Sequence, residues 1–288
     1  MRIMVTGGTG FIGSHLIPGL AEEGHQIGML VRRASHTSQF DAKNGIDSLV
    51  VDSHSDILEA FTQFQPQAVI HLATLYVNNH SPDDIQPLLE SNILFGTYVL
   101  EAMSKCGIGK IINFGTRWQH MDSSRSNPAN LYSATKNAFQ EILGYYQNHR
   151  GISPTTLELC DTFGRGDTRK KIVGLMVDAC KNREILELSP GEQVIDLLCV
   201  DDLVEYILIG LREGLFFHNE TIALSGEEVS LRDLGARIEK LLGVSGCLKW
   251  GGRPYREHEV MEPPVFSPLT KISRHSLEYH LTQQFVEL

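Results

Sequence analysis

The sequence predicts an α/β protein, a doubly wound parallel sheet covered by helices and followed by a smaller mixed α/β lobe. Three observations carry that expectation. Over residues 1–160, short β-rich apolar runs alternate with helix-length amphipathic stretches, the pattern of repeated βα units. A glycine-patterned turn joins the first apolar run to the first helical stretch. With 288 residues, 42% of them hydrophobic, the chain can also bury a large core rather than stay disordered.

Strands are expected at Ile3 to Thr6, Gln26 to Arg32, Ser48 to Val51, Ala68 to Leu72, Lys110 to Phe114 and Thr155 to Leu159. Helices are expected at Ile12 to Glu23, Asp84 to Lys105 and Leu131 to Asn148. The last two are long enough both to cover a sheet and to pair between subunits. After Gly164 the regularity weakens: a helix from about Lys171 to Lys181, a strand near Val194 to Val200, a helix from Val200 to Arg212, then short pieces. The reading is therefore a dinucleotide-binding domain over residues 1–165, with contributions from later segments, and a substrate lobe over 166–288. No Ser/Gly tract or repeat separates them.

Composition excludes several functions. A formal charge of −10 argues against a nucleic-acid binder, so any anionic ligand must meet a local cluster of basic residues. No apolar run approaches the roughly 20 residues of a membrane helix. Met1 opens directly into the strand-like Arg2-Ile3-Met4-Val5 rather than a cleavable signal, so a cytoplasmic location is expected. Five scattered cysteines without a C-x-x-C pair suggest reduced thiols and neither disulfides nor zinc.

Gly7-Gly8-Thr9-Gly10-Phe11-Ile12-Gly13 follows a predicted strand and opens a predicted helix. Gly7 permits a tight turn, Gly10 lets backbone approach a pyrophosphate, and Gly13 allows close helix-on-strand packing, with the phosphates on the helix N-terminal amides. An acidic residue ending the second strand would bond the ribose 2′-hydroxyl of NAD. That end reads Leu30-Val31-Arg32-Arg33, and two arginines suit the 2′-phosphate of NADPH instead, their alternative being solvated surface charges.

Asn130-Leu131-Tyr132-Ser133-Ala134-Thr135-Lys136 places Tyr132 and Lys136 one turn apart on a helix face. A phenol near pKa 10 is a poor acid–base group at neutral pH, and an adjacent ammonium brings it toward the working range. The fifth strand ends in Thr116, a hydroxyl able to hold a substrate oxygen beside Tyr132.

The glycine spacing, this Y-x-x-x-K and the hydroxyl before it resemble the extended short-chain dehydrogenase/reductase family, the NAD-dependent epimerase/dehydratase group, over nearly the whole chain. The resemblance implies a Rossmann fold with a nicotinamide cofactor along Gly7, Thr9, Gly10, Phe11, Ile12 and Gly13. Arg32, Arg33 and Asp52 would lie at its adenosine end, and Leu72, Ala73, Thr74, Asn92, Tyr132, Lys136 and Thr162 along the rest. Asp52 resembles the acceptor of the adenine amino group, its alternative being the N-cap of a helix from Ile57 onward. His71 reads as structural. Thr116, Tyr132 and Lys136 are the implied catalytic residues, with Thr74, Thr116 and Arg117 facing the substrate.

An Asp-Glu pair after Thr116 would signal elimination of water, and a cysteine in that loop an epimerase-reductase. This chain has Arg117 and Trp118. Hydride transfer at one carbon remains, with Tyr132 as proton donor. In the second lobe Arg169, Lys170 and Lys171 could meet a diphosphate or simply solvate a helix start. Trp250 through Met261 contains Arg253-Pro254-Tyr255-Arg256-Glu257-His258-Glu259-Val260-Met261 and resembles an element of sugar-nucleotide 4-ketoreductases of the CDP-abequose and CDP-paratose synthase type. Leu72 through Tyr76 and Asn130 through Gln140 share that likeness. Arg253 or Arg256 would hold the phosphates, the structural alternative being an ion pair from Arg256 to Glu259. Asp201 and Asp202 read as helix-dipole or capping acids rather than metal ligands, and no metal is expected.

The expected function is thus NADPH-dependent reduction of the C4 keto group of a nucleotide-diphosphate-linked 4-keto-6-deoxy sugar for a surface polysaccharide such as O-antigen, by a homodimer joined through a four-helix contact. A 4-epimerase that retains its NAD(P) would use the same triad. A non-catalytic NADP-sensing regulator would commonly lose the tyrosine or the lysine, and this chain keeps both.

Overall fold

The computed structural model describes residues 1–40, 45–256, 259–265 and 268–286. Glu257 and His258 of the segment singled out above lie outside the described residues.

Six strands follow the expected rhythm: β1 (Arg2–Thr6), β2 (Gln26–Val31), β3 (Ile46–Val50), β4 (Ala68–His71), β5 (Lys110–Thr116) and β6 (Ser153–Leu159). Ile3, Met4 and Val5, like Val69 and Ile70, are wholly buried, the continuous apolar run that a sheet covered on both faces demands. The large sheet is parallel throughout and has eight strands, in the order β13-β10-β6-β5-β4-β1-β2-β3. The last two strands at one end, β10 (Glu220–Ser225) and the edge strand β13 (Leu269–Lys271), return from the second half of the chain. Strand order reverses between β1 and β4, which opens a crevice at their carboxyl ends.

Helices cover both faces. On one, α1 (Phe11–Glu22) buries Gly13, Leu16, Ile17 and Leu20, a three-and-four spacing, and packs with α7 (Val200–Glu213) over Ile3, Val5 and Ile27. On the other, α2 (His54–Phe64), α4 (Phe95–Lys105) and α5 (Leu131–Arg150) enclose Met4, Val69 and Ile111. Ser53 and Asp56 form the capping box of α2, so the cap is Ser53 and not Asp52. The single helix expected from Asp84 to Lys105 is a 3₁₀ turn (Pro82–Asp84), α3 (Ile85–Leu89), a π turn (Glu90–Leu94) and then α4, without a break.

The second lobe has its own core of Phe163, Val173, Met176, Leu234 and Leu281. It contains α6 (Ile172–Asn182), α8 (Leu231–Leu242) and α9 (Leu277–Phe285), with β7 (Asp161–Phe163), β9 (Val194–Cys199) and β11 (Glu227–Ser230) in a small sheet. β8 (Leu186–Glu187) pairs with β12 (Leu248–Lys249). Asp201 and Asp202 sit in the first turn of α7 and also dock α9: Gln284 donates to Asp201 at 2.6 Å and His280 lies 2.8 Å from Asp202. Among the described residues the possible metal-ligating cluster is not there but at Cys180, Glu239 and Cys247, where Glu239 accepts from the Cys247 and Leu248 amides. No helix among the described residues is long and apolar enough to cross a membrane.

Gly13 shows how tightly the glycine turn is packed, since a Cβ there would meet Gly7 O, Gly8 Cα and Gly8 O at 2.6 Å. Gly13→Ala should cost about 1–3 kcal/mol, as overpacking against rigid backbone does. Gly174→Ala, on α6 with nothing within 4 Å of the added carbon, should instead gain up to about 1 kcal/mol from helix propensity. Urea midpoints of the two variants check the opposite signs.

Candidate active site

The crevice at the strand reversal continues into the second lobe as one cleft of about 1870 Å³. Ligand pockets usually run about 300–1,000 Å³, so this cleft has room for two large ligands side by side. Its floor is the glycine turn. Gly7 has φ +69°, and a Cβ there would come within 2.5 Å of the Ala73 amide nitrogen; Gly7 and Gly13 are therefore demanded by packing. A Cβ on Gly10 would meet only Gly7 O, at 3.2 Å, so the fold itself asks less of that glycine, which borders the cleft as the N-cap of α1. No side chain caps this helix. Open amides at a helix N-terminus, with no Cβ in front of them, fit a pyrophosphate.

Thr9, Phe11, Ile12, Leu72, Ala73, Thr74 and Thr162 all border the cleft. At its far end Arg32 and Asp52 border it too, together with Ser35, which the sequence did not mark; the Ser35 hydroxyl accepts from the Arg32 amide at 3.2 Å. Arg33 is not itself among the lining residues, but its guanidinium pairs with the cleft-lining Asp52 at 2.7 Å. Asn92, expected along the cofactor, is not among the residues that line the cleft. Buried in the π turn, its Oδ1 accepts from Leu75 N at 2.6 Å and Thr74 Oγ1 at 3.1 Å, and its Nδ2 donates to Leu75 O at 3.0 Å and Thr135 Oγ1 at 2.9 Å. It ties the segment after β4 to α5, and π turns of this kind recur at functional sites.

Asn130 starts α5: its side chain accepts from Ser133 N at 2.9 Å, which sets Tyr132 in the first turn and Lys136 in the second. Thr116, at the end of β5, accepts from Trp118 N and so keeps its own proton free to donate. All three residues border the cleft. Tyr132 packs edge-to-face on Tyr76, with ring centroids 5.1 Å apart. Burial raises its phenol; Lys171 opposes this most, Tyr76 adds to the rise, and a hydrogen bond with Thr74 and the charge of Arg169 lower it. Burial brings Lys136 down to about 8. His71 is held down to about 3 by burial and by Lys136, and its Nδ1 lies 2.8 Å from Thr6 Oγ1, so it is neutral and structural.

Arg117, expected to face the substrate, borders the cleft, and its buried guanidinium pairs with Asp196 and also donates to the Pro264 carbonyl at 2.6 and 2.9 Å. Asp196 in turn accepts from Ser225 Oγ and Gly226 N, both at 2.7 Å. Among the basic cluster, Lys170 is exposed at the cleft with φ +53°. Lys171 instead pairs with Asp161 at 2.6 Å and lies over Tyr76, 4.7 Å from the ring centroid. Arg169 stacks on Phe11 at 4.4 Å and pairs with Asp167 at 2.7 Å. Arg253 and Arg256 are exposed at the cleft rim. Glu259 accepts from the backbone amide of Arg256, and among the described residues no ion pair joins their side chains.

Fold and site together define an enzyme of the extended short-chain dehydrogenase/reductase type. The chain belongs to the NAD dependent epimerase/dehydratase family, whose profile matches residues 3–222. It is similar to the CDP-abequose synthase of Yersinia pseudotuberculosis, 31% identical over 266 residues that cover 91% of this chain and 92% of that protein. The CDP-abequose synthase of Salmonella muenchen is 28% identical, with 91% and 87% covered. A crystal structure of UDP-glucose 4-epimerase with UDP-glucose from Thermotoga maritima shares the fold, with a TM-score of 0.86 over 99% of this chain and 97% of that one at 21% identity.

Lys136 makes a pH prediction. Its ammonium binds its proton less tightly in the folded state than in the unfolded chain, where the value is near 10.5. The cost of burying it is therefore full below about pH 8 and relieved as pH rises from 8 toward 10.5. In the absence of cofactor, Lys136→Met should be more stable than the parent by on the order of 1–3 kcal/mol at pH 7. The gap should close by about pH 10.5, and melting curves across that range check it.

Proposed function

We propose that this protein reduces the C4 keto group of a nucleotide-diphosphate-linked 4-keto-6-deoxy sugar with NADPH, supplying a deoxysugar for a surface polysaccharide. The observation that carries the reading is the loop after Thr116, where elimination or proton abstraction beside the carbonyl would need an acid or base. Arg117 there is paired with Asp196 and Trp118 has no titratable group, so among the described residues that loop offers neither an acid nor a base, and Thr116 and Tyr132 are left to act on the reacting oxygen. The likeness to CDP-abequose synthases over most of both chains supports the same chemistry.

Bound reduced nicotinamide would supply the hydride. Thr116 donates a hydrogen bond to the ketone oxygen, and Tyr132 gives its proton as that oxygen becomes an alkoxide. Lys136 holds the cofactor ribose, and Arg32 with Ser35 receives a 2′-phosphate at the end of β2, where the Asp52 carboxylate is paired with Arg33. Lys170, Arg253 and Arg256 face the diphosphate from the cleft rim. The exposed apolar side chains Ile85, Leu89 and Leu94 line a shallow groove beside Tyr98, and with Tyr145 of α5 they support a homodimer through four helices. Sedimentation at micromolar concentration should show the dimer, and monomer alone would exclude it.

Incubation of the protein with NADPH and a panel of nucleotide-linked 4-keto-6-deoxy sugars should consume one NADPH per sugar reduced. Interconversion at C4 without net cofactor oxidation would identify an epimerase instead. Tyr132→Phe should lower kcat by about 10²- to 10⁴-fold with NADPH affinity kept. Arg32→Ala should weaken NADPH far more than NADH, and equal losses would remove the basis for NADPH preference.

A further inference from the structure

Three basic residues precede α6, and they do three different things. Lys170 is exposed, Arg169 covers Phe11 of the glycine turn, and Lys171, the N-cap residue of α6, turns inward. Its ammonium is held by the Asp161 carboxylate at 2.6 Å, with both side chains largely out of solvent. It also sits 4.7 Å from the centroid of Tyr76, whose ring is packed edge-to-face on Tyr132 at 5.1 Å. A diphosphate ligand needs a donor aimed at open space, and this one is already engaged by a carboxylate and a ring. Lys171, Tyr76, Tyr132 and Asp161 all border the cleft, on the side where the reacting oxygen would lie.

We propose that Lys171 is a positioning residue for catalysis: a second fixed cation, anchored by Asp161 and seated on Tyr76, that favours the phenolate of Tyr132 alongside Lys136. The inference rests on the ketoreductase reading and assigns Lys171 a role other than phosphate binding. When Tyr132 gives up its proton, the O–H bond breaks, the proton goes to the former carbonyl oxygen and the electron pair stays on the phenol oxygen. A cation on the neighbouring ring stabilises that pair without touching the substrate.

The other groups around Tyr132 leave this task to few candidates. Tyr76 and Thr74 face it from the segment after β4, Arg169 and Lys171 from the segment before α6, and Lys136 shares its helix. Both cations are paired, Arg169 with Asp167 at 2.7 Å and Lys171 with Asp161 at 2.6 Å, but Arg169 lies over Phe11 whereas Lys171 lies over Tyr76, the ring packed on Tyr132. His71, beside Lys136, is uncharged. Burial opposes the charge of Lys171, but Asp161 and Tyr76 outweigh it against the push of Arg169, so the ammonium persists.

The test is a phenolate titration of the whole protein by near-ultraviolet absorbance, with Tyr132→Phe subtracted to isolate Tyr132. Lys171→Met should move the Tyr132 midpoint up by about one unit, the low end of what a close charge does, and carry the alkaline limb of kcat with it. Lys171→Gln keeps a donor for Asp161 without the charge and should behave the same, which also covers the case in which the Met variant fails to fold. Lys171→Arg should restore most of the parent midpoint. An unchanged midpoint in a folded neutral variant overturns the proposal, and a raised KM for the nucleotide sugar with an unchanged midpoint makes Lys171 a phosphate ligand. Either result leaves the ketoreductase reading intact, because that reading is tested by the effect of Tyr132→Phe on turnover.

Discussion

One buried carboxamide ties two walls of the cleft together. Asn92 makes four hydrogen bonds, two through each end of its amide, and they join two segments far apart in sequence: the stretch after β4 that carries Thr74 and Tyr76, and the helix that carries Tyr132 and Lys136. Leaving any of these buried groups unpaired costs about 1–3 kcal/mol, so the two segments cannot drift independently. The π turn at Glu90–Leu94 contains this residue and lets its side chain reach both segments from a helix that otherwise only covers the sheet. The edge-to-face contact of Tyr76 with Tyr132 lies between the same two segments.

A second constraint links the lobes. Arg117 leaves the end of β5 and meets Asp196 of β9, which also binds the turn between β10 and β11. The position that could have carried an acid or base thus carries a clamp. A buried pair of this kind adds little net stability, yet losing one partner strands the other charge, which makes the geometry hard to vary. Charge along the cleft is managed the same way: Asp161 and Asp167 each hold one cation, and Lys136 faces a neutral His71.

Much of this was legible in the sequence because its signals are local. The first six strands lie within two residues of their expected limits, since a glycine turn, an apolar run and a capping Asn130 each act over a few residues. Thr116, Tyr132 and Lys136 do share one cleft. What stayed hidden depends on long-range pairing. Arg117 and Asp196 are far apart in the chain, and nothing near either says that one will bury the other. The π turn adds a single residue to a helical period, which a pattern of apolar positions cannot resolve. Tyr76 and Asp161 received no role of their own because their meaning comes from Lys171, brought to them by the fold. Among the later segments expected to contribute to the first domain, β13 is only three residues long, too short for a pattern of its own to mark it as an edge of the large sheet.

The return of β10 and β13 makes the chain topologically inseparable. β6 is an interior strand only because β10 lies beside it, and without the later segments its backbone donors and acceptors would form a bare parallel edge, a template for association with other chains. The first half of the chain is therefore not a module that can be cut out and joined to a different second half. Change in the second lobe has to come by substitution and loop change, while the strands that leave it and come back stay in register with the sheet.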